Sequence, residues 1–140
     1  MIILEEKIRV NLDDIETLSL QFVTDFFSSN VFSVSDDFVE FYSKFNNGCG
    51  ELGDDVYIEI WNINEIIELN ENYDVAKNID NVIIFGSDGG DMALGYDYKL
   101  NKFLIVPFIG MGFLEPPYYL GDNYNSFFEN LLVYYKDEEQ

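Results

Sequence analysis

The chain has 140 residues, of which 48% are hydrophobic, and its 27 acidic residues against seven basic ones give a formal net charge of −20. This composition is typical of one folded domain with a packed core and argues against intrinsic disorder. It also argues against binding to nucleic acid or to an anionic membrane surface, because no basic cluster is present to neutralise phosphates.

The same composition bears on location and on the kind of partner. The chain has no run of about 18 apolar residues and no secretory signal at its start, so we expect a cytoplasmic protein without a membrane span. A lone Cys49 permits no intrachain disulfide. The acidic surface favours cationic partners, although the same charge is also explained by solubility alone.

Two helices are predicted in the first third of the chain. Residues 12–29 form the first, with Asn11 or Asp13 as its cap. Ser35 caps the second, and Asn46-Asn47-Gly48 ends it, since both residue types tolerate a left-handed backbone. Its predicted buried stripe consists of Phe38, Phe41, Tyr42 and Phe45.

Strands dominate the remainder. After a glycine-rich loop over residues 48–55, residues 56–61 alternate between apolar and polar positions, and a short helix follows over residues 64–72. Residues 82–85, 92–96 and 103–108 are predicted as consecutive strands joined by turns, the first of them at Asp88-Gly89-Gly90. A last helix covers residues 126–136, with Ser126 as its cap. The prediction is therefore an α+β domain over residues 1–140, in which helices pack beside a mostly antiparallel sheet of about four to six strands.

Several enzyme classes are excluded by the absence of histidine. Cys49 and Ser87 lack the usual general base, and a histidine-ligated metal site is ruled out. The turn Asp88-Gly-Gly-Asp91 lacks the ligand pattern of a calcium loop, so a hairpin turn in which Gly89 and Gly90 adopt positive φ is the prediction. A carboxylate hydrolase stays open, with Glu59 paired with Glu51 or Asp88.

Aromatic residues near acidic ones indicate a second type of site. Large aromatic side chains rimmed by carboxylates are typical of a binding surface for a basic protein, whereas aromatic residues in strands more often pack in the core. For Trp61 we favour core packing. The aromatic candidates are Tyr57, Trp61, Phe113, Tyr118 and Tyr119.

An ordered set of segments resembles the SUKH superfamily. The set comprises the helix ending in Phe45-Asn-Asn-Gly48, the strand reaching Trp61, Asn70 in the short helix, the block Gly86–Asp97, and the tail Phe127-Phe128-x-x-Leu131-Leu132. Founding eukaryotic members of this superfamily regulate cell-wall assembly, and many bacterial members are immunity proteins that neutralise polymorphic toxins. The resemblance implies a compact α+β domain that binds a protein.

The resemblance also implies a function and a set of contacts. We expect an immunity protein that occludes a cognate toxin domain, a nuclease or a nucleic-acid deaminase, in one-to-one stoichiometry. No catalytic residue, metal or cofactor is expected, and the protein is expected to be a monomer or a weak homodimer. The alternatives are a regulatory or scaffold module and the carboxylate hydrolase. The predicted contact residues are Glu51, Asp54, Asp55, Glu59, Trp61, Asp88 and Asp91.

Overall fold

The computed structural model describes residues 6, 8–9, 11–53, 56–112 and 116–138. Within them, six strands form one antiparallel sheet in which each strand is hydrogen-bonded to the next in sequence. The strands are β1 (Cys49–Gly53), β2 (Val56–Ile60), β3 (Val82–Ser87), β4 (Met92–Asp97), β5 (Lys102–Pro107) and β6 (Tyr118–Gly121). The helices are α1 (Leu20–Ser29), α2 (Asp36–Phe45), α3 (Ile66–Asn72), α4 (Val75–Asn78) and α5 (Tyr124–Glu138), with a 3₁₀ helix (Ile63–Glu65) directly before α3.

This architecture confirms the prediction of an α+β fold with a mostly antiparallel sheet. The connection from β3 to β4 and that from β4 to β5 each contain only four residues, which is too short for the crossover that a parallel pair requires. The antiparallel pairing of β3 with β4 and of β4 with β5 therefore follows from the turn signals in the sequence.

The first face of the sheet carries the main core beneath α1, α2 and α5. Phe38 of α2 lies against Tyr96 of β4 with ring centroids 4.2 Å apart, and Phe103 of β5 stacks on Phe127 of α5 at 5.0 Å. The predicted stripe of α2 is confirmed, since Phe38, Phe41, Tyr42 and Phe45 are all fully buried. Ser35 also caps α2 as predicted, by accepting a hydrogen bond from the amide of Phe38 at 3.2 Å.

The second face is covered unevenly. A smaller core lies on it over the central strands, beneath α4 and the segment after β5; its buried members are Val75, Val82, Ile84, Ala93, Leu104, Val106 and Met111. Strand β2 differs from β3, because its residues alternate between buried and exposed positions as predicted. The second face of β2 is therefore open, and a concave surface lies there.

The prediction of a helix over residues 12–29 is wrong in its first half. The helix begins at Leu20, and Ser19 caps it by accepting from the amide of Phe22 at 3.0 Å. Residues 13–18 follow the end of α2 instead. Asp13 pairs with Cys49 in a β-bridge, and the amide of Leu18 donates to the carbonyl of Ser43 at 2.9 Å. Hydrogen bonds to a distant segment thus override the helical spacing of the apolar residues.

Other boundaries also differ from the predictions. Residues 49–53 form an edge strand where a loop was predicted, and β6 was not predicted. Helix α5 begins at Tyr124, because Asn123 rather than Ser126 accepts from the first-turn amide, that of Ser126, at 2.8 Å. Of the two glycines predicted to have positive φ, only Gly89 does, with φ 83°.

Candidate functional site

A groove with a volume of about 1000 Å³ opens on the second face of the sheet beside β2. It lies where the end of β2, the β3–β4 turn, the end of β5 and helix α3 converge. We call the following set the groove: Asp14, Asn47, Cys49, Glu59, Ile60, Trp61, Asn62, Glu65, Leu69, Tyr73, Ser87, Gly89, Gly90, Asp91, Pro107, Phe108 and Ile109. Its residues come from six separated parts of the chain, so only the folded protein forms it.

The charge of the groove has a single sign. Four of the described lining residues are acidic, namely Asp14, Glu59, Glu65 and Asp91. No described lining residue is lysine or arginine. The described salt bridges lie elsewhere: Lys44 pairs with Glu40, Lys77 with Asp74 and Lys102 with Asp122. The groove therefore presents a negative potential to any molecule that enters it.

One wall of the groove is aromatic. The rings of Trp61 and Tyr73 are nearly parallel, at 8°, with centroids 6.2 Å apart. Phe108 completes the wall at 4.8 Å from Tyr73 and 6.3 Å from Trp61. Trp61 and Phe108 also pack against the smaller core, which fixes their orientation, whereas Tyr73 is 43% exposed. The wall is thus anchored in the core and open to solvent at Tyr73.

Pairing between β2 and β3 positions Glu59 and Trp61. Glu59 lies opposite Ser87 and Ile60 opposite Gly86, and the amide of Trp61 donates to the carbonyl of Phe85 at 2.8 Å. A Cβ atom at Gly86 would lie 2.2 Å from the carbonyl oxygen of Glu59, so only glycine permits this close approach. A side chain of α2 also holds Trp61 in place: the buried hydroxyl of Tyr42 lies 3.1 Å from the backbone carbonyl of Trp61 and can donate to it.

Two asparagine side chains hold the segment that carries Glu65 and Tyr73. Asn46, which is 1% exposed, accepts from the amide of Ile63 at 2.7 Å and so fixes the start of the 3₁₀ helix. Asn70 of α3 makes with its side chain the two backbone hydrogen bonds that a neighbouring strand would otherwise make to Ile84. Its Oδ1 accepts from the Ile84 amide at 2.9 Å, and its Nδ2 donates to the Ile84 carbonyl at 2.8 Å. These bonds satisfy the backbone amide and carbonyl of Ile84, which lie beyond the end of the β2–β3 pairing.

The β3–β4 turn forms the rim of the groove. Asp88 Oδ1 accepts from the amides of Gly90 and Met92, at 2.8 and 3.2 Å, and its Oδ2 accepts from the Tyr135 hydroxyl at 2.6 Å. The carbonyl of Asp91 accepts from the amide of Phe108 at 2.9 Å, which ties the end of β5 to the turn. Asp88 therefore organises the turn, while the exposed carboxylate of Asp91 lines the groove.

The structure brings together three of the seven predicted contact residues. Glu59, Trp61 and Asp91 line the groove. Asp88 lies beside them with both oxygens engaged, and Glu51 is exposed on β1 opposite Tyr57. Asp54 and Asp55 lie outside the described residues, and so does Phe113 among the aromatic candidates. That these residues contact a partner stays a prediction.

The aromatic candidates do not form one surface. Tyr57 projects from β2 and is 40% exposed, whereas Tyr118 and Tyr119 lie on β6, four strands away across the sheet. Tyr118 packs on Tyr134, and the hydroxyl of Tyr119 donates to Asp97 at 3.0 Å.

Sequence reasoning missed four groove residues, because no local pattern distinguishes them from other acidic or aromatic residues. They are Asp14, Glu65, Tyr73 and Phe108.

Tyr57, which lies on β2 next to Glu59, has a raised pKa. Partial desolvation of its hydroxyl is the main cause, and the neighbouring Cys49 and Glu59 raise the pKa further. Burial also raises the pKa of Asp37, at the start of α2. Asp37 does not line the groove, so this shift supplies no acid catalyst there. Among the described residues, no three Asp, Glu, Cys or His side chains are arranged to hold a metal ion.

A second concavity, of about 800 Å³, lies on the other side of α3 and α4. Its lining mixes apolar residues such as Phe32 and Ile67 with three acidic residues, Glu71, Asp74 and Asp80, and with Lys77, which pairs with Asp74. It therefore has no uniform charge that would select a partner. In the part of the chain that the structure describes, no helix is long and apolar enough to cross a membrane.

The chain was compared with known proteins at two levels. No protein-family model matches it, and no curated protein is significantly similar to it. Membership of the SUKH superfamily thus stays a prediction from the order of the motifs.

Proposed function

We propose that this protein is a SUKH-like immunity protein, which binds the basic surface of a cognate toxin domain through the acidic groove and neutralises it without catalysis. The observation that carries the proposal is the groove itself, which combines four carboxylates with an aromatic wall and contains no described basic residue. Enzymes that act on nucleic acid hold phosphates with lysine and arginine, so their active surfaces are complementary to such a groove.

The proposed mechanism is stoichiometric occlusion. The net charge of −20 accelerates encounter with a basic protein, and the groove carboxylates align it. Trp61 and Tyr73 then supply the apolar contact that slows dissociation, since aromatic residues dominate the binding energy of many interfaces. A nuclease or deaminase covered in this way cannot reach its substrate.

The experiment is a binding and rescue assay with the toxic domain encoded next to this protein. Immobilised toxin is exposed to the protein at low and at moderate salt, and toxin activity is measured in the same mixtures. We expect one-to-one binding that abolishes toxin activity and whose association slows as salt increases. Binding without inhibition, or the absence of an adjacent toxin gene, would contradict immunity and favour a regulatory module.

Matched variants separate the groove from the overall charge. The triple variant Glu59→Gln, Glu65→Gln, Asp91→Asn removes three groove charges. The control variant, Asp25→Asn, Glu68→Gln, Asp80→Asn, removes three exposed charges outside the groove. We expect association to slow about tenfold or more in the first variant and about twofold in the second. Equal effects of the two triple variants would show that the groove is not the contact surface.

A further inference from the structure

We propose that the groove recognises an arginine side chain of the partner, whose guanidinium group lies on the aromatic wall and faces the groove carboxylates. This inference rests on the proposed function in one respect, namely that the occupant belongs to a basic protein. It adds the chemical group that the groove selects and the residues that select it.

The shape of the aromatic wall favours a flat cation. Trp61 is inclined by 8° to Tyr73 and by 29° to Phe108, and Tyr73 by 36° to Phe108, so the three rings have similar orientations and form one cluster of aromatic faces. The guanidinium group is planar, delocalised and weakly hydrated, and it stacks on aromatic faces. A lysine ammonium group is compact and strongly hydrated, so it gains less from such a surface. Tyr73 is 43% exposed and is accessible for this contact.

The carboxylates favour the same group. Glu59, Glu65 and Asp91 are exposed side chains that line the groove together with the aromatic wall. A guanidinium fork can donate two parallel hydrogen bonds to one carboxylate while its face stays on a ring, whereas an ammonium group acts as a point charge. No described basic side chain of the groove competes for these carboxylates.

The size of the groove indicates what kind of chain segment carries the arginine. At about 1000 Å³ it lies at the upper end of small-molecule sites, so it holds more than one side chain. Ile109, which is 86% exposed, offers an apolar contact at the rim. The occupant is therefore an arginine-bearing loop or chain segment of the partner, with the residues around the arginine packed against the rim.

The test uses the single tryptophan of the chain, Trp61, as a reporter inside the site. The protein is titrated with a blocked five-residue peptide that carries two arginines between glycines. Matched peptides carry two lysines, or two citrullines, which keep the planar shape without the charge. We expect a saturable change of Trp61 fluorescence with the arginine peptide, a Kd about fivefold higher or more for the lysine peptide, and no response to citrulline. Equal affinity for arginine and lysine, or no response to either, would overturn the proposal.

Variants locate the binding event. Tyr73→Ala is expected to raise the Kd of the arginine peptide about fivefold, because it removes the exposed ring of the wall. Tyr118→Ala is the control, since Tyr118 is an exposed tyrosine, 56% against 43% for Tyr73, on the far edge of the sheet. An unchanged Kd in Tyr73→Ala, with both variants folded by circular dichroism, would place the peptide elsewhere and refute the proposal.

The outcomes distinguish this inference from the proposed function. Toxin that binds while the arginine peptide does not would overturn arginine recognition and leave immunity intact. An arginine peptide that binds in the groove while no toxin is neutralised would support arginine recognition and count against immunity.

Discussion

Replacement of Val31 by glycine is expected to stabilise the protein. Val31 follows α1 with a φ of 66°, a left-handed conformation that is strained for a β-branched residue. The bonds that end α1 require this conformation: the amide of Phe32 donates to the carbonyl of Phe27 at 2.9 Å, and that of Val31 to Ser28 at 3.1 Å. Glycine is the usual residue at this position of a helix end.

The size of the effect follows from two opposing terms. Relief of the left-handed strain contributes about 1–2 kcal/mol, and the greater freedom of glycine in the unfolded chain costs about 0.5–1 kcal/mol. The valine side chain is 87% exposed, so its removal takes almost nothing from the core. We therefore expect the free energy of unfolding to rise by about 0.5–1 kcal/mol, which corresponds to an increase in Tm of roughly 1–4 °C for a chain of this length.

The assay is urea unfolding followed by circular dichroism, with thermal melts alongside. Val31→Ala is the control, because alanine removes the β-branch but keeps a Cβ atom in the left-handed region, so it should gain less than glycine. Val31→Asn should lie between them, since asparagine tolerates this conformation. A glycine variant that is no more stable than the alanine variant would refute the strain argument.

Three further predictions concern two residues that support the groove, Asn70 and Gly86, and one ionisable residue outside it, Asp37. Asn70→Ala should lower the free energy of unfolding by about 2–4 kcal/mol in urea melts, because it leaves the amide and carbonyl of Ile84 without partners; a loss below 1 kcal/mol would mean that another group replaces them. Gly86→Ala should cost about 1–3 kcal/mol, because its Cβ would lie 2.2 Å from the Glu59 carbonyl oxygen; a stable variant with unchanged Trp61 fluorescence would contradict this. The pKa of Asp37 is raised above 3.8, mainly by burial, so its contribution to stability decreases as pH rises from 3.8 through the raised value. Asp37→Asn should therefore gain stability relative to wild type between about pH 3.5 and pH 7 in thermal melts, and a difference that does not depend on pH would exclude this origin.

Local sequence signals predicted those elements whose stability is local. Ser35 and Asn47 delimit α2 because a side-chain cap and a left-handed residue act within one turn. Alternation over β2 was equally readable, since one face of this strand is buried and the other is open. The helix predicted over residues 12–29 is absent before Leu20, because Asp13 and Leu18 find hydrogen-bond partners at Cys49 and Ser43, more than 20 residues away.

The candidate site could be predicted only in part. Glu59, Trp61 and Asp91 were identified because an acidic residue near a large aromatic one is visible in a strand or a turn. Tyr73 and Phe108 were not, since their proximity depends on the Asn70 bonds to β3 and on the bond between Phe108 and Asp91. Asp88 was grouped with the contact residues, but its oxygens serve the turn and Tyr135.

The sequence by itself determined the net charge, the α+β class and the pairing of β3 with β4 and of β4 with β5, because composition, periodicity and turn chemistry are properties of short segments. Only the tertiary structure decided that the second face of β2 stays open while β3 is covered on both faces. It also decided that carboxylates from four segments meet one aromatic wall there. The physical reason is that a groove is made by contacts between residues far apart in the chain, and no local preference encodes which of them will meet.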